Sequence, residues 1–136
     1  MTRRMSVGLC LLAVGCGPAP APSGTGAREA ALAFYQAIVR QECNAAHALL
    51  DSASRARCDA TRFAGLATVY RGGLPFAPTT VQVTACEEQG DRAVAHVVLI
   101  GRPSAHQRFK DTAVLRYSSD GWGVQLSPTF GLPRRR

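Results

Sequence analysis

Three histidines and one carboxylate are the side chains of this sequence that could exchange a proton with a ligand. His47 has Asp51 four residues further on, so the two share one face of a predicted helix as a solvated pair. His96 interrupts the apolar run "AVAHVVLI" and would point into a pocket or lie hydrogen-bonded in the core, whereas His106 is expected in an exposed loop. Asp111 is the one acidic residue inside a predicted apolar strand. His96 with Asp111 is therefore the one acid–base pair that the sequence allows, and the two residues need not share a face.

Sequence motifs for covalent, phosphate or metal chemistry are absent from the chain. It contains no Gly-x-Ser-x-Gly, P-loop or dinucleotide fingerprint. It contains no Cys-x-x-Cys, and no histidine lies at ligand spacing from a cysteine, so no zinc or other metal site and no cofactor is predicted. We therefore expect a domain that binds a ligand or a partner and catalyses no reaction; nothing in the sequence identifies that ligand.

The composition indicates one folded domain with no affinity for nucleic acid. The chain has 136 residues, of which 46 % are apolar and 18 % are charged, which suits a packed core. Its formal net charge of +7 comes partly from the two ends, where Arg3, Arg4 and 134–136 lie. No basic stripe interleaved with aromatic residues occurs, so nucleic-acid binding is not expected.

The first 15 residues are typical of an export signal. Arg3 and Arg4 precede a mostly apolar run, Met5–Val14, which is shorter than the roughly 20 residues that a membrane-spanning helix needs. The following "LAVGC" resembles the lipobox of bacterial lipoprotein precursors. That resemblance implies cleavage before Cys16, a diacylglyceryl group on its sulfur and, often, acylation of the new amine. The alternative is ordinary secretion, with cleavage near Gly15 and a free thiol at Cys16.

Residues 16–26, "CGPAPAPSGTG", are predicted to be a lipid-modified cysteine followed by a tether. Proline favours extended backbone, and glycine and serine add freedom. Lipid chains contribute about 0.8 kcal/mol per buried methylene, so two or more of them anchor a protein without a spanning helix. We expect a protein of the cell envelope, extracytoplasmic and membrane-anchored through Cys16. In a Gram-negative host it would reach the outer membrane, because Gly17 follows the cysteine where an aspartate would retain it in the inner membrane.

Three cysteines would remain for the oxidising compartment outside the cytoplasm, since Cys10 leaves with the signal and Cys16 takes lipid. The preferred pair is Cys43 with Cys58, because both flank a short helical segment. The loop that they close, about 15 residues, contributes about 3 kcal/mol in the chain-entropy account. Cys58 with Cys86 is the alternative.

The hydrophobic pattern predicts helices first and strands afterwards. Apolar residues recur at helical spacing over 27–41 and 59–73, with a short helix over 44–51 between them. Alternation and turn signals predict four strands, over 79–88, 92–101, 108–118 and 122–127. The predicted fold is α+β, with three N-terminal helices packed on a curved four-stranded antiparallel meander. The domain covers residues 27–131, and a basic tail follows over 132–136.

This order of elements resembles small bacterial lipoproteins of the nuclear-transport-factor-2-like (cystatin-like, cone-shaped) superfamily. The similarity lies in "ALAFYQAIVRQECNAAHALL" and in the closing "YSSDGWGVQL". In such lipoproteins a cysteine near the start of the second helix is often paired with one before the third. The superfamily contains isomerases and dehydratases beside many binding modules, so an enzyme of that kind is the alternative function, with a structural role in an envelope complex as a third possibility.

The expected ligand site is the interior of the cone. A cavity there would be apolar, with polar contact from Tyr35 or His96, and Trp122 would line it with four other residues, namely Phe34, Ile38, Phe63 and Leu115. The strand "AVAHVVLI" is apolar on both faces, so its outer face needs cover. Domains of this superfamily often pair through that face, and we expect a weak homodimer or an envelope protein as partner there.

Overall fold

Helices occupy the first half of the described chain and strands the second half. A computed structural model describes residues 25–133. The elements are α1 (Ala27–Val39), α2 (Cys43–Ala48), α3 (Ser52–Arg57), α4 (Ala60–Gly72), β1 (Thr80–Gln89), β2 (Arg92–Ile100), a 3₁₀ turn (Pro103–Ala105), β3 (Arg108–Ser118) and β4 (Gly121–Gln125). The signal, Cys16 and most of the predicted tether lie outside the described residues, as do 134–136.

Two aspartates set the starts of the third and fourth helices. The side chain of Asp59 accepts a hydrogen bond from the backbone N–H of Arg62 at 2.8 Å, which confirms the predicted cap of α4. Asp51 caps α3 in the same way, through Ser54 N–H at 3.0 Å. The described chain therefore has four α-helices, and the prediction of three was wrong. Six residues are too few to show a helical period, so α3 escaped the periodicity argument.

The strands form one antiparallel sheet in the order β1-β2-β3-β4, which confirms the predicted meander. Gly90 lies in the turn between β1 and β2, and Gly121 begins β4 directly after the turn that follows β3; both have positive φ. A register shift between Val83 and Ala85 puts a bulge in β1. Across β2 and β3, Val97 lies opposite Asp111, whereas its neighbour His96 lies opposite Thr112. Successive side chains alternate between faces, so this register decides which residues point toward the helices.

The core lies between α1 and the inner face of the sheet. Helix α1 contacts all four strands, and it buries one stripe of residues at helical spacing, including Ala31, Phe34 and Ile38. Below it, Ala95 and Leu115 of the sheet are fully buried. The small alanines on β2 let the helix approach the sheet closely, and the larger side chains fill the remaining space.

The outer edge of β4 is closed by the chain between α2 and α3. Asp51 N–H donates to the carbonyl of Val124 at 2.8 Å, and Val124 N–H donates to the carbonyl of Leu49 at 2.9 Å. A Cβ at Gly123 would lie 2.5 Å from the Cα of Asp51, so glycine is needed for this approach. The segment thus protects a strand edge that would otherwise be open to pairing with another chain.

Strand β4 is too short to cover β3 along its whole length. It pairs with β3 from Val114 to Ser118, so the first half of β3 has no strand on that side among the described residues. After β4 the chain crosses to α4, where a Cβ at Gly131 would lie 2.6 Å from the carbonyl oxygen of Leu66. This close contact holds the neighbouring Phe130 against the helices. A cleft remains between the free half of β3 and this C-terminal segment.

The outer face of the sheet carries more charge than we expected. Its central residues alternate with the buried ones along β2 and β3; they are Val94, His96, Val98, Ile100, Arg108, Lys110, Thr112, Val114 and Arg116. Val98 is only 4 % exposed, although no helix covers this face; Gln82 and Lys110 flank it in the register. The large apolar residues that are exposed among 25–133 lie elsewhere, at Val69, Tyr117 and Leu132. The long polar side chains thus cover much of the apolar surface here without a partner.

Candidate functional site

A cleft of about 1560 Å³ opens beside the free half of β3. Its walls come from α1, from the end of α4 and from the C-terminal segment, and β3 supplies its floor. The side chains that dominate it are Phe34, Tyr35, Tyr70, Phe109, Asp111 and Phe130. Ligand pockets usually occupy about 300–1000 Å³, so this cleft is large enough for a small molecule or an extended one.

The polar centre of the cleft is the carboxylate of Asp111. Its Oδ2 accepts hydrogen bonds from the hydroxyls of Tyr70 at 2.5 Å and of Tyr35 at 3.1 Å. Its Oδ1 accepts the backbone N–H of Thr112 at 2.8 Å. Both tyrosines are buried, and Asp111 is partly exposed to the cleft. Three hydrogen bonds therefore fix the position of this carboxylate.

The carboxylate of Asp111 forms no ion pair within residues 25–133. In that range the one ion pair between side chains joins Arg55 to Asp120 at 3.7 Å. Arg108 and Lys110, the basic residues of β3 nearest to Asp111 in sequence, lie on the outer face of the sheet, because successive side chains of a strand alternate between faces. A carboxylate beside aromatic rings is less well solvated than one in open water. Its charge can therefore interact strongly with a polar group of a ligand.

Phe130 of the C-terminal segment completes the aromatic wall of the cleft. Its ring stacks on Tyr70 with centroids 4.8 Å apart and on Phe63 with centroids 5.7 Å apart. Phe34 packs at an angle against it, at 6.3 Å. Stacked rings of this kind add about 0.5–1.5 kcal/mol beyond the area that they bury. The wall therefore depends on a residue that follows the last strand.

The predicted ligand-contact residues lie in three different places. Tyr35 lines the cleft and binds Asp111. His96 is exposed on the outer face of the sheet, so it and Asp111 are on opposite faces and form no acid–base pair. Trp122 lies outside the cleft, where its indole N–H donates to the hydroxyl of Thr25 at 3.0 Å and its ring meets Tyr117. The cavity that we expected also included Ile38, Phe63 and Leu115, and these are buried in the core.

The remaining two histidines do not reach the cleft. A ring nitrogen of His47 lies 2.7 Å from the carbonyl oxygen of Cys58, and the ring packs against Phe63 at 5.7 Å. It joins α2 to the start of α4 and forms no bond with Asp51, which caps α3. His106 is exposed, in a left-handed conformation after the 3₁₀ turn. His47 is held by contacts within the fold and His106 is exposed in a loop, so neither lines the cleft.

The three described cysteines have free thiols in this structure. Cys58 is buried at the end of α3, and Cys43 is partly buried at the start of α2. Cys86 lies on β1, where burial and then the nearby Glu88 raise the pKa of its thiol, and Arg28 opposes them. None of the three lines the cleft.

Within the part of the chain that the structure describes, neither a cluster of metal ligands nor a membrane-spanning helix occurs. No three His, Cys, Asp or Glu side chains within 25–133 are grouped closely enough to hold a metal ion. No helix in that range has the length and apolar character that crossing a membrane requires.

Sequence reasoning did not identify Tyr70, Phe109 or Phe130 as cleft residues. Tyr70 and Phe109 appeared as ordinary members of a helical stripe and of an alternating strand. Phe130 carried the best signal, because it is a lone aromatic residue in the turn-forming segment "SPTFGLP". An apolar ring in such a segment needs a place to be buried, which here is the groove beside α4.

Comparison with known proteins identifies the fold. No protein-family model and no curated protein matches the sequence. Among solved structures, a protein of Campylobacter jejuni named "Putative NTF2-like transpeptidase" superposes with a TM-score of 0.54 at 14 % identity, over 73 % of this chain and 96 % of that one. A SEC-C motif protein of Rhodopseudomonas palustris gives a TM-score of 0.48 at 14 % identity, over 68 % and 69 % of the two chains. The first of these similarities, together with the four helices and the antiparallel sheet, shows that residues 25–133 contain a domain of the NTF2-like fold.

Proposed function

We propose that this chain is a lipid-anchored, extracytoplasmic binding protein whose NTF2-like domain holds a ligand in the cleft without catalysis. The observation that carries the proposal is the cleft itself, an aromatic groove with one fixed carboxylate, Asp111, at its centre. Such a combination of apolar lining and few polar groups is typical of ligand pockets. The ligand would be held by shape and area, with orientation supplied by the carboxylate.

The groups that could transfer protons support binding over catalysis. A general base needs a free lone pair within hydrogen-bond reach of the substrate. Both oxygens of Asp111 already accept hydrogen bonds, and the hydroxyls of Tyr35 and Tyr70 are oriented toward it. His96, the partner that the sequence offered, is on the other side of the sheet. Asp111 keeps one acceptor position on Oδ1, but no histidine lies beside it, so a base there would act without the partner that the sequence predicted.

The anchor is proposed from the sequence, since Cys16 lies outside the described residues. Thr25 is already hydrogen-bonded to Trp122 of the domain, so eight residues, 17–24, separate the domain from the lipid-bearing cysteine. Fully extended, they would span about 26–29 Å. This length would let the domain stand clear of the lipid headgroups and leave the cleft accessible.

An enzyme is the competing function. The C. jejuni protein is named as a transpeptidase, and isomerases and dehydratases occur on this fold, but a similarity at 14 % identity transfers no activity. Turnover of a small carbonyl or hydroxy compound that falls at least a hundredfold in Asp111→Asn, about 2.7 kcal/mol of transition-state stabilisation, would establish the enzyme. No turnover in the unmodified domain agrees with a binding role.

Binding in the cleft can be tested with N-phenylnaphthylamine, a neutral fluorescent probe. The full chain carrying Cys16→Ser avoids lipid, and Val69→Trp in that background narrows the mouth of the cleft from a position that is 47 % exposed. The matched control is Thr68→Trp, on the same helix but outside the lining. We expect Val69→Trp to weaken probe binding at least fivefold and the control to leave it unchanged. Equal effects, or no binding, would remove the cleft as the site.

A structural role in an envelope complex would use the outer face of the sheet. Arg108, Lys110 and Arg116 all lie on this face. A second copy packed on the same surface would bring like charges together, so an acidic envelope protein suits this face better than a homodimer. Sedimentation of the Cys16→Ser chain at rising concentration separates the two, because only the homodimer raises the measured mass.

A further inference from the structure

The charge in the cleft indicates the class of ligand. An ionised carboxylate offers about four acceptor positions. Within residues 25–133, Asp111 uses three of them, two on Oδ2 and one on Oδ1. One acceptor position on Oδ1 remains, on a side chain that lines the cleft and that forms no ion pair in the same range. A cationic donor would satisfy both the free position and the charge.

The aromatic lining favours the same kind of ligand. Phe109 on the β3 floor and Phe130 in the C-terminal wall both line the cleft, and Tyr70 stacks on Phe130 and donates to Asp111. Ring faces attract cations within about 6 Å through their quadrupoles, and the attraction grows when the cation loses water. Arg71, in the last turn of α4, donates to the carbonyls of Ile38 and Val39. Its charge is therefore held outside the cleft.

We propose that the cleft binds an organic cation, with an ammonium or guanidinium group against Asp111 and an apolar body between Phe109 and Phe130. This inference rests on the proposed binding function and adds the charge of the ligand to it. Anionic ligands are disfavoured, because they would approach a carboxylate that forms no ion pair within residues 25–133.

The chain itself contains a possible competitor. Pro133 lines the cleft, and the sequence continues with three arginines, 134–136. Their guanidinium groups have the chemistry that the proposal assigns to the ligand. A binding measurement must therefore be made both with these arginines and with all three replaced by serine.

The test compares three ligands of one shape: benzamidine, which is a cation, benzamide, which is neutral, and benzoate, which is an anion. Each is titrated into the nitrogen-15-labelled Cys16→Ser chain, and the amide signals of β3 and of 129–131 are followed. We expect benzamidine to bind at least tenfold more tightly than benzamide, about 1.4 kcal/mol, and benzoate to bind least. If benzamidine is preferred over benzamide only when 134–136 are serine, the proposal is also supported, because the three arginines then compete for the same site.

Two variants with equal charge changes provide the control. Asp111→Asn should abolish the preference for benzamidine and retain benzamide, whereas Asp120→Asn, at a side chain that is 72 % exposed, should keep the preference. If Asp111→Asn loses its dispersed spectrum, Phe109→Leu replaces it and should reduce the preference through the lost ring. Equal binding of benzamide and benzamidine in both backgrounds overturns the cationic ligand and leaves the binding function intact. Failure of all three ligands, together with failure of N-phenylnaphthylamine, overturns the binding function itself.

Discussion

Tyr70 and Asp111, which are 41 residues apart in the chain, are joined by a hydrogen bond of 2.5 Å from the tyrosine hydroxyl to Oδ2 of the carboxylate. Tyr35 donates to the same oxygen. One carboxylate oxygen thus links the last turn of α4 and the middle of α1 to β3, the strand that forms the floor of the cleft. The arrangement both orients the charge in the cleft and ties the helices to the sheet.

Replacement of Tyr70 by Phe should destabilise the domain. The change removes one donor to a charged acceptor, and such hydrogen bonds contribute about 1.5–3 kcal/mol. Because the site is partly exposed, we expect a loss at the lower end, about 1.5 kcal/mol in the free energy of unfolding by urea. Tyr117→Phe, at a side chain that is 53 % exposed, is the control and should change this energy by less than about 0.5 kcal/mol. Equal losses would mean that the bond to Asp111 carries no stability.

Replacement of Phe130 by Ala should release the C-terminal segment from α4. Truncation of a buried Phe to Ala costs about 3–5 kcal/mol, and the partial burial of this ring places the expected loss near 3 kcal/mol. Leu132→Ala, at 54 % exposure in the same segment, should have little effect. Hydrogen exchange should show faster exchange in 126–133 for the first variant alone. Unchanged exchange there would contradict the anchoring role of the ring.

Cys43 and Cys58 should form a disulfide in the oxidised protein. Cys43 and His47 are one helical turn apart on one face of α2, and the ring of His47 lies 2.7 Å from the carbonyl oxygen of Cys58, so that face of α2 is directed toward the end of α3. Cys86 has different neighbours, Arg28, Glu29 and Glu88. Non-reducing peptide mapping should find Cys43 joined to Cys58 and Cys86 free. A Cys58–Cys86 peptide would show that α3 and β1 are arranged differently.

The thiol of Cys86 should react slowly with iodoacetamide near neutral pH. Burial and the negative charge of Glu88 raise its pKa, so less of the reactive thiolate is present than in an unhindered cysteine. Because folding raises this pKa, the protonated thiol contributes to the stability of the fold at neutral pH, and that contribution is lost as pH rises through the raised pKa. Glu88→Gln should speed alkylation, and Glu87→Gln, on the outer face of β1, should not. If both variants are alkylated at the same rate, burial and not the charge of Glu88 raises the pKa of Cys86.

Lipid attachment should be confined to Cys16. Mass spectrometry of the mature N-terminal peptide should show acyl groups on that residue, because "LAVGC" places it directly after the apolar run. Cys16→Ser should leave the protein unmodified and release it from membranes, whereas Cys10→Ser should be processed normally. An unmodified peptide that begins at Cys16 or Gly17 would contradict the anchor.

Local sequence signals were sufficient for most of the fold. Helical spacing of Phe34 and Ile38, the capping carboxylate of Asp59 and the turn at Gly121 each act over a few residues, and α1, α4 and the last hairpin follow from them. The expected α+β order and the antiparallel meander depend only on these short-range preferences. The short helix α3 is the exception, because its six residues carry too little periodicity, and the sequence pattern predicts Asp51 as the end of the helix before it.

The candidate site was decided by tertiary structure. Alternation along β3 places Asp111 on the same face of the sheet as Phe109. The run "AVAHVVLI" is apolar around His96, so the sequence does not decide which face the histidine is on. The pairing of Val97 with Asp111 decides it and places His96 on the outer face. No local signal could bring Tyr70 to Asp111 or Phe130 to Tyr70, since these contacts form only when α4 and the C-terminal segment pack on β3. The sequence by itself determined the elements, because they arise from neighbouring residues. The cleft arises where β4 ends before β3 is covered, and that depends on the packing of the whole domain.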